Sequence, residues 1–113
     1  MSAGIKYLPQ IIEKLKQVNP YKIILFGSHA NGTAYKDSDI DILVVTSDNF
    51  MPKNYDEKMK INLEVSGLIS EIKAKYPVDL IVHTLPMHKK FIALGSMFSK
   101  EINKKGKILY ERS

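Results

Sequence analysis

The sequence predicts a small α/β (α+β) domain, in which helices flank a sheet of short strands. Three observations carry this. Short, largely β-branched apolar runs occur at 22–26, 39–45 and 78–83, and helical stripes of apolar residues alternate with them. Glycine and proline punctuate the junctions between the two kinds of segment.

Leu8, Ile11, Ile12, Leu15 and Val18 recur at helical spacing, with Lys14 and Lys16 off the stripe. Pro9 suits a first turn, and Asn19-Pro20 ends the helix. Lys22–Phe26 then reads as a buried strand that runs into Gly27. Gly27–Ser38 is loop-rich, with room for a single helical turn. Asp39–Val45 is apolar apart from its carboxylates and reads as a second strand, followed by a loop over Thr46–Pro52. From Asn54 to about Lys75, Ile61, Val65, Leu68 and Ile72 predict one long amphipathic helix despite Gly67, ended by Pro77. Val78–His83 is the third strand. Pro86 opens a helical segment with Phe91, Leu94, Phe98 and Ile102 on one face, expected to be core and the first choice for any surface left to a partner. Gly106 stops it, and Lys107–Tyr110 adds an edge strand.

The 113 residues are expected to form one domain, with neither repeat nor linker. The chain has no cysteine, which excludes disulfides and thiolate chemistry and fits a cytoplasmic setting. No apolar run approaches the roughly 20 residues that span a bilayer, and Met1–Tyr7 lacks a secretory signal's apolar stretch. The net charge of +5 suits an anionic partner, such as a nucleotide, nucleic acid or acidic protein. Its lysines are scattered, apart from Lys104, Lys105 and Lys107, so they read as solvated surface and direct nucleic-acid binding is not expected.

The chemistry concentrates in three carboxylates. Alternation along a strand puts Asp39 and Asp41 on one face and Ile40, Ile42 and Val44 on the other. Two like charges at the start of an apolar strand call for a positive partner. A hard divalent cation such as Mg²⁺ suits carboxylate oxygens together with phosphates. Asp79 repeats the theme on the third strand. If the two strands are neighbours, it completes a three-carboxylate site for one or two ions, and it is the best placed to accept a proton from an attacking hydroxyl. An isolated Asp-x-Asp is common and reads equally well as a turn or a wet strand edge. The loop upstream changes that balance. Gly27-Ser28 directly follows a buried strand, where a glycine backbone can bend sharply and approach a ligand, and a serine hydroxyl with free N–H groups can hold phosphate oxygens. Ten residues, His29–Ser38, separate the pair from Asp39, enough to return the chain beside the first strand.

This arrangement resembles the minimal nucleotidyltransferase (MNT) family of the DNA polymerase β-like nucleotidyltransferase superfamily. That family's signature is Gly-Ser, ten residues, Asp-x-Asp, and a third Asp on a later strand. Here it stands as Phe26–Val45 and Val78–Val82, and the flanking helices extend the likeness over nearly the full length. The resemblance implies a mixed sheet, an NTP substrate with Mg²⁺, Asp39 and Asp41 as metal ligands, Asp79 as third carboxylate, and Gly27 and Ser28 at the triphosphate. Many relatives carry arginines in the loop, where this chain has His29 and Asn31, so its grip on phosphate is weaker.

Other signals are set aside. Gly27-x-x-x-x-Gly32 lacks the lysine of a phosphate-binding P-loop. His29, His83 and His88 have no metal-ligand spacing, and only His29 sits where it could touch phosphate. Ser28 lacks a nucleophile elbow. Asp37 reads as a turn residue close enough to help position water.

Larger relatives shape the acceptor side with a second, helical domain. This chain has no room for one, so another subunit is expected to supply it. Small MNT proteins resemble the antitoxin of modules with a helical HEPN ribonuclease toxin, which implies transfer of AMP from ATP to a toxin tyrosine. The alternatives are an antitoxin that acts by binding alone, and nucleotidyl transfer to a small molecule such as an aminoglycoside. A small acceptor needs a walled pocket that one compact domain hardly provides.

Overall fold

The computed structural model describes residues 3–32 and 38–112. A 3-10 stretch, Ala3–Tyr7, leads into α1 (Leu8–Leu15), which another, Lys16–Val18, closes. The chain continues through β1 (Lys22–Phe26), a single turn α2 (Ser28–Asn31) and β2 (Ile40–Val45). Helices α3 (Tyr55–Gly67) and α4 (Ser70–Lys75) precede β3 (Val78–His83). The last elements are α5 (Leu85–Leu94), α6 (Met97–Lys105) and β4 (Lys107–Glu111). No helix among the described residues is long and apolar enough to cross a membrane.

The four strands form a mixed sheet in the order β3-β2-β1-β4. β1 runs antiparallel to β2 and β4, whereas β2 and β3 are parallel. A parallel neighbour needs a long crossover, and α3 with α4 provides it. β2 is buried on both faces, which explains why its apolar residues do not alternate with polar ones beyond Asp41. On one face Ile42 and Val44 pack with Ile11, Leu15, Val65 and Ile72 from α1, α3 and α4. On the other, Ile24 and Leu43 meet Ile102 of α6, with Phe26, Ile81 and Phe91 alongside.

Two helices of the sequence reading are broken in the structure. The segment from Asn54 to Lys75 is interrupted after Gly67, where the N–H groups of Leu68 and Ile69 donate to Val65 and Ser66 at 3.1 Å, a tighter winding than an α-helix. Glycine's low helix propensity makes the break cheap, and it lets Ile69 as well as Ile72 turn into the core. The segment after Pro86 is interrupted at Gly95, which is left-handed (φ 61°), and Ser96 then caps α6 by accepting from the Ser99 N–H at 3.1 Å. The turn leaves Ile102 buried, but Leu94, expected in the core, is 72% exposed. β2 starts at Ile40, so Asp39 stands just outside the strand and is exposed.

Candidate active site

The parallel register sets Asp41 directly opposite Asp79, and the antiparallel register sets Phe26 opposite Asp41. The same strand face therefore carries the rows Phe26–Asp41–Asp79, Ile24–Leu43–Ile81 and Lys22–Val45–His83. The first row lies at the end of β1, where the chain turns into Gly27.

Gly27 has φ 72° and ψ −154°, a region that essentially only glycine occupies. A Cβ built there would run into the Asp41 carboxylate oxygen and lie 3.0 Å from its carboxyl carbon. The bare glycine is thus what admits the Asp41 side chain against the turn. The Gly27 carbonyl accepts from the N–H groups of Ala30 and Asn31, at 3.1 and 3.0 Å, which fixes α2. Ser28, at the start of that turn, is half-buried. His29 is buried at 6% exposure, contrary to the idea that it displays a ring to phosphate, while Asn31 is exposed. The expected role of Asp37 lies outside the described residues.

Burial, above all, pushes Asp41 from the ordinary 3.8 up to about 6. The Asp79 charge, a side-chain hydrogen bond with Asp79, and the Asp39 charge add to it in that order. All three carboxylates therefore act on one spot. Asp41 and Asp79 are the bonded pair, and Asp39 bears on it through charge. No three His, Cys, Asp or Glu side chains among the described residues stand close enough to make a ready-formed ligand cluster. No described Lys or Arg makes an ion pair with any of the three. A donor set of carboxylate oxygens alone fits a hard divalent cation.

The strand ends that carry the carboxylates are tied together. Tyr76 donates from its hydroxyl to the Ser38 carbonyl at 2.7 Å, and the Ile40 N–H donates to the Pro77 carbonyl at 3.1 Å. Tyr76 thereby helps hold Asp39 near Asp79, a role no local pattern reveals because its partner is 38 residues away. A cavity of about 160 Å³ opens beside Asp41, lined by Phe26, Gly27, Asn31, Phe98 and Lys105 among others.

At the far row, His83 and His88 pair through their Nδ1 atoms at 3.2 Å and pack on Phe91. They are satisfied histidines within an aromatic cluster. Burial first, then His88 and Lys58, lowers His83 to about 4; burial and then Lys22 lowers His88.

The two ends of this face respond oppositely to acid. Asp41 keeps its proton up to about 6 when folded but only to 3.8 when unfolded, so its contribution is full below 3.8 and lost as pH rises through about 6. His83 is lowered from 6.5, so its contribution is present above 6.5 and lost as pH falls through about 4. In the wild type the two histidines oppose the Asp41 trend between these limits. In a His83→Gln/His88→Gln variant, urea unfolding is expected to show stability falling as pH rises from 3.8 to about 6. A flat profile would refute the crowding of charge around Asp41.

A Gly-Ser turn closed on an Asp-x-Asp strand, with a third Asp on the parallel neighbour, defines a nucleotidyltransferase core. Residues 9–113 match the family model described as Polymerase beta, Nucleotidyltransferase, and the chain belongs to that family. Among solved structures it is similar to a Sulfolobus solfataricus protein presented as a nucleotidyltransferase. Identity is 26%, with 95% of this chain and 79% of that one covered and a TM-score of 0.61. It also shares its fold with a toxin–antitoxin solved with AMP-PNP (22% identity, 93% and 73% covered, TM-score 0.56). A mutant of the toxin–antitoxin MntA–HpeT is comparable (23%, 94% and 73%, 0.55). No curated protein sequence matches the chain.

Proposed function

We propose that this chain is a Mg²⁺-dependent nucleotidyltransferase that moves AMP from ATP to a partner protein, a helical HEPN-type toxin, and so serves as its antitoxin. The observation that carries the reading is the Asp41–Asp79 pair set against Gly27, with the Asp39 charge beside it. Support for the setting comes from proteins of the same fold that are toxin–antitoxin complexes, one holding a nucleotide analogue.

In this reading an acceptor hydroxyl oxygen bonds to the α-phosphorus of ATP. The bond to the bridging oxygen of the β-phosphate breaks, and pyrophosphate leaves with that electron pair. Asp79, the exposed member of the bonded pair, accepts the hydroxyl proton. Asp39, Asp41 and Asp79 would hold one or two Mg²⁺ ions, which when bound offset the charge that develops on the attacking and leaving oxygens. Gly27 and Ser28 receive the phosphate tail. The cavity beside Asp41, about 160 Å³, is small against the roughly 300–1,000 Å³ of a typical small-molecule site, which speaks against an aminoglycoside acceptor.

The test is transfer of labelled AMP from ATP to a HEPN-type toxin from the same organism. Label is expected on a toxin tyrosine with the wild type and none with Asp39→Asn/Asp41→Asn. Neutralisation that survives the double variant, with no label transferred by either form, would leave an antitoxin that works by binding alone.

A further inference from the structure

We propose that Lys105, at the end of α6, is the cation that receives the nucleotide's phosphate tail in the cavity beside Asp41. The proposal rests on the nucleotidyltransferase reading. A polyphosphate brings several negative charges to a place where the charges of Asp79 and Asp39 already bear on Asp41. From Gly27 to Gly32 the chain carries no Lys or Arg, and His29 is buried. Within that turn the protein offers no countercharge, which leaves Lys36, further along the same loop in sequence, or a residue of another element.

Lys105 lines the cavity together with Gly27, Asn31 and Asp41. Glu101, one turn earlier, lines it too, yet the two form no ion pair among the described residues. Lys105 is exposed, so its ammonium is open to a ligand entering the cavity.

Its position is fixed by packing. Phe98 meets Phe26 edge-on at 5.5 Å, and Ile102 is buried against Ile24 and Leu43. At Gly106 a Cβ would strike the Ile102 carbonyl oxygen and lie 2.9 Å from the Ile24 Cγ2, so the missing side chain lets the end of α6 press onto β1. The Gly106 N–H donates to the Ile102 carbonyl at 2.8 Å and closes the helix there. Lys104 and Lys105 both favour a helix C-terminus through its dipole. Only Lys105 lines the cavity.

That pair of neighbours gives the test. MgATP and MgAMP affinities are measured by calorimetry for the wild type, Lys105→Ala, Lys105→Arg, Lys104→Ala and Lys36→Ala, with circular dichroism to verify folding. Lys105→Ala is expected to weaken ATP about tenfold or more, the scale of a lost charge-assisted hydrogen bond, with AMP nearly unchanged. Lys105→Arg should restore most of the loss, and Lys104→Ala should match the wild type. Equal effects of Lys104→Ala and Lys105→Ala, equal losses for ATP and AMP, or a loss confined to Lys36→Ala would each overturn the assignment. A wild type that binds no nucleotide would remove the nucleotidyltransferase reading itself, and Lys105 with it.

Discussion

Replacing Gly27 by alanine is expected to cut nucleotidyl transfer about a hundredfold or more and to destabilise the fold together. Two costs coincide at this residue. The backbone conformation is one that a side chain strains by about 1–3 kcal/mol, and the new methyl would occupy the place of the Asp41 carboxylate. Asp41 would have to swing away and break its bond with Asp79. A displacement of that kind costs about a hundredfold in rate even without loss of a reacting group. Gly67→Ala is the matched control, since nothing lies within 4 Å of a Cβ there. It lies at the end of α3 and lines no part of the cavity beside Asp41, so transfer should be unchanged. Urea unfolding and labelled transfer measure both quantities. A Gly27→Ala protein with wild-type transfer would show that the close fit of turn and carboxylate has no part in the chemistry.

Asp41→Asn is expected to separate activity from stability. At neutral pH the wild type holds a charged carboxylate that burial, Asp79 and Asp39 all disfavour, as its rise from 3.8 to about 6 records. The amide removes that charge at nearly constant shape, so the variant should melt at the same temperature or higher at pH 7. The advantage should vanish in acid below 3.8, where the wild-type group is protonated in both folded and unfolded chains. Transfer should fall about a thousandfold or more, because a bound cation supplies several kcal/mol of charge stabilisation and each 1.36 kcal/mol is a factor of ten. Mg²⁺ with ATP should raise the melting temperature of the wild type and leave the variant unmoved. A variant that is both less stable at pH 7 and still active would contradict the reading.

Much of the site could be read before any coordinates because its parts are local. Gly27-Ser28 follows an apolar run, and Asp39 and Asp41 flank Ile40; each signal spans a few residues and rests on the period of a strand. The strand limits at 22–26 and 78–83 needed only β-branched composition and a glycine or proline at the edge. The helices were less legible. The stripe Ile61, Val65, Leu68, Ile72 continues across Gly67 in sequence, while the chain breaks there to bury Ile69 as well. Gly95-Ser96 was a readable stop and cap whose signal was outweighed by the apolar positions on either side. Leu94 lies on the exposed side of that break.

The sequence by itself determined the order of helices and strands, the two faces of β2, and the residue types able to hold a cation and phosphate, since these follow from side-chain period and chemistry within short windows. Only the tertiary structure decided that Asp79 stands opposite Asp41, and a slip of one residue in that parallel register would turn Asp79 to the other face. It also decided that Tyr76 ties down Ser38, that His83 and His88 meet, and that Lys105 arrives beside a glycine 78 positions earlier. Such contacts depend on which distant surfaces bury each other's apolar area, and that is a property of the whole packed chain rather than of any segment.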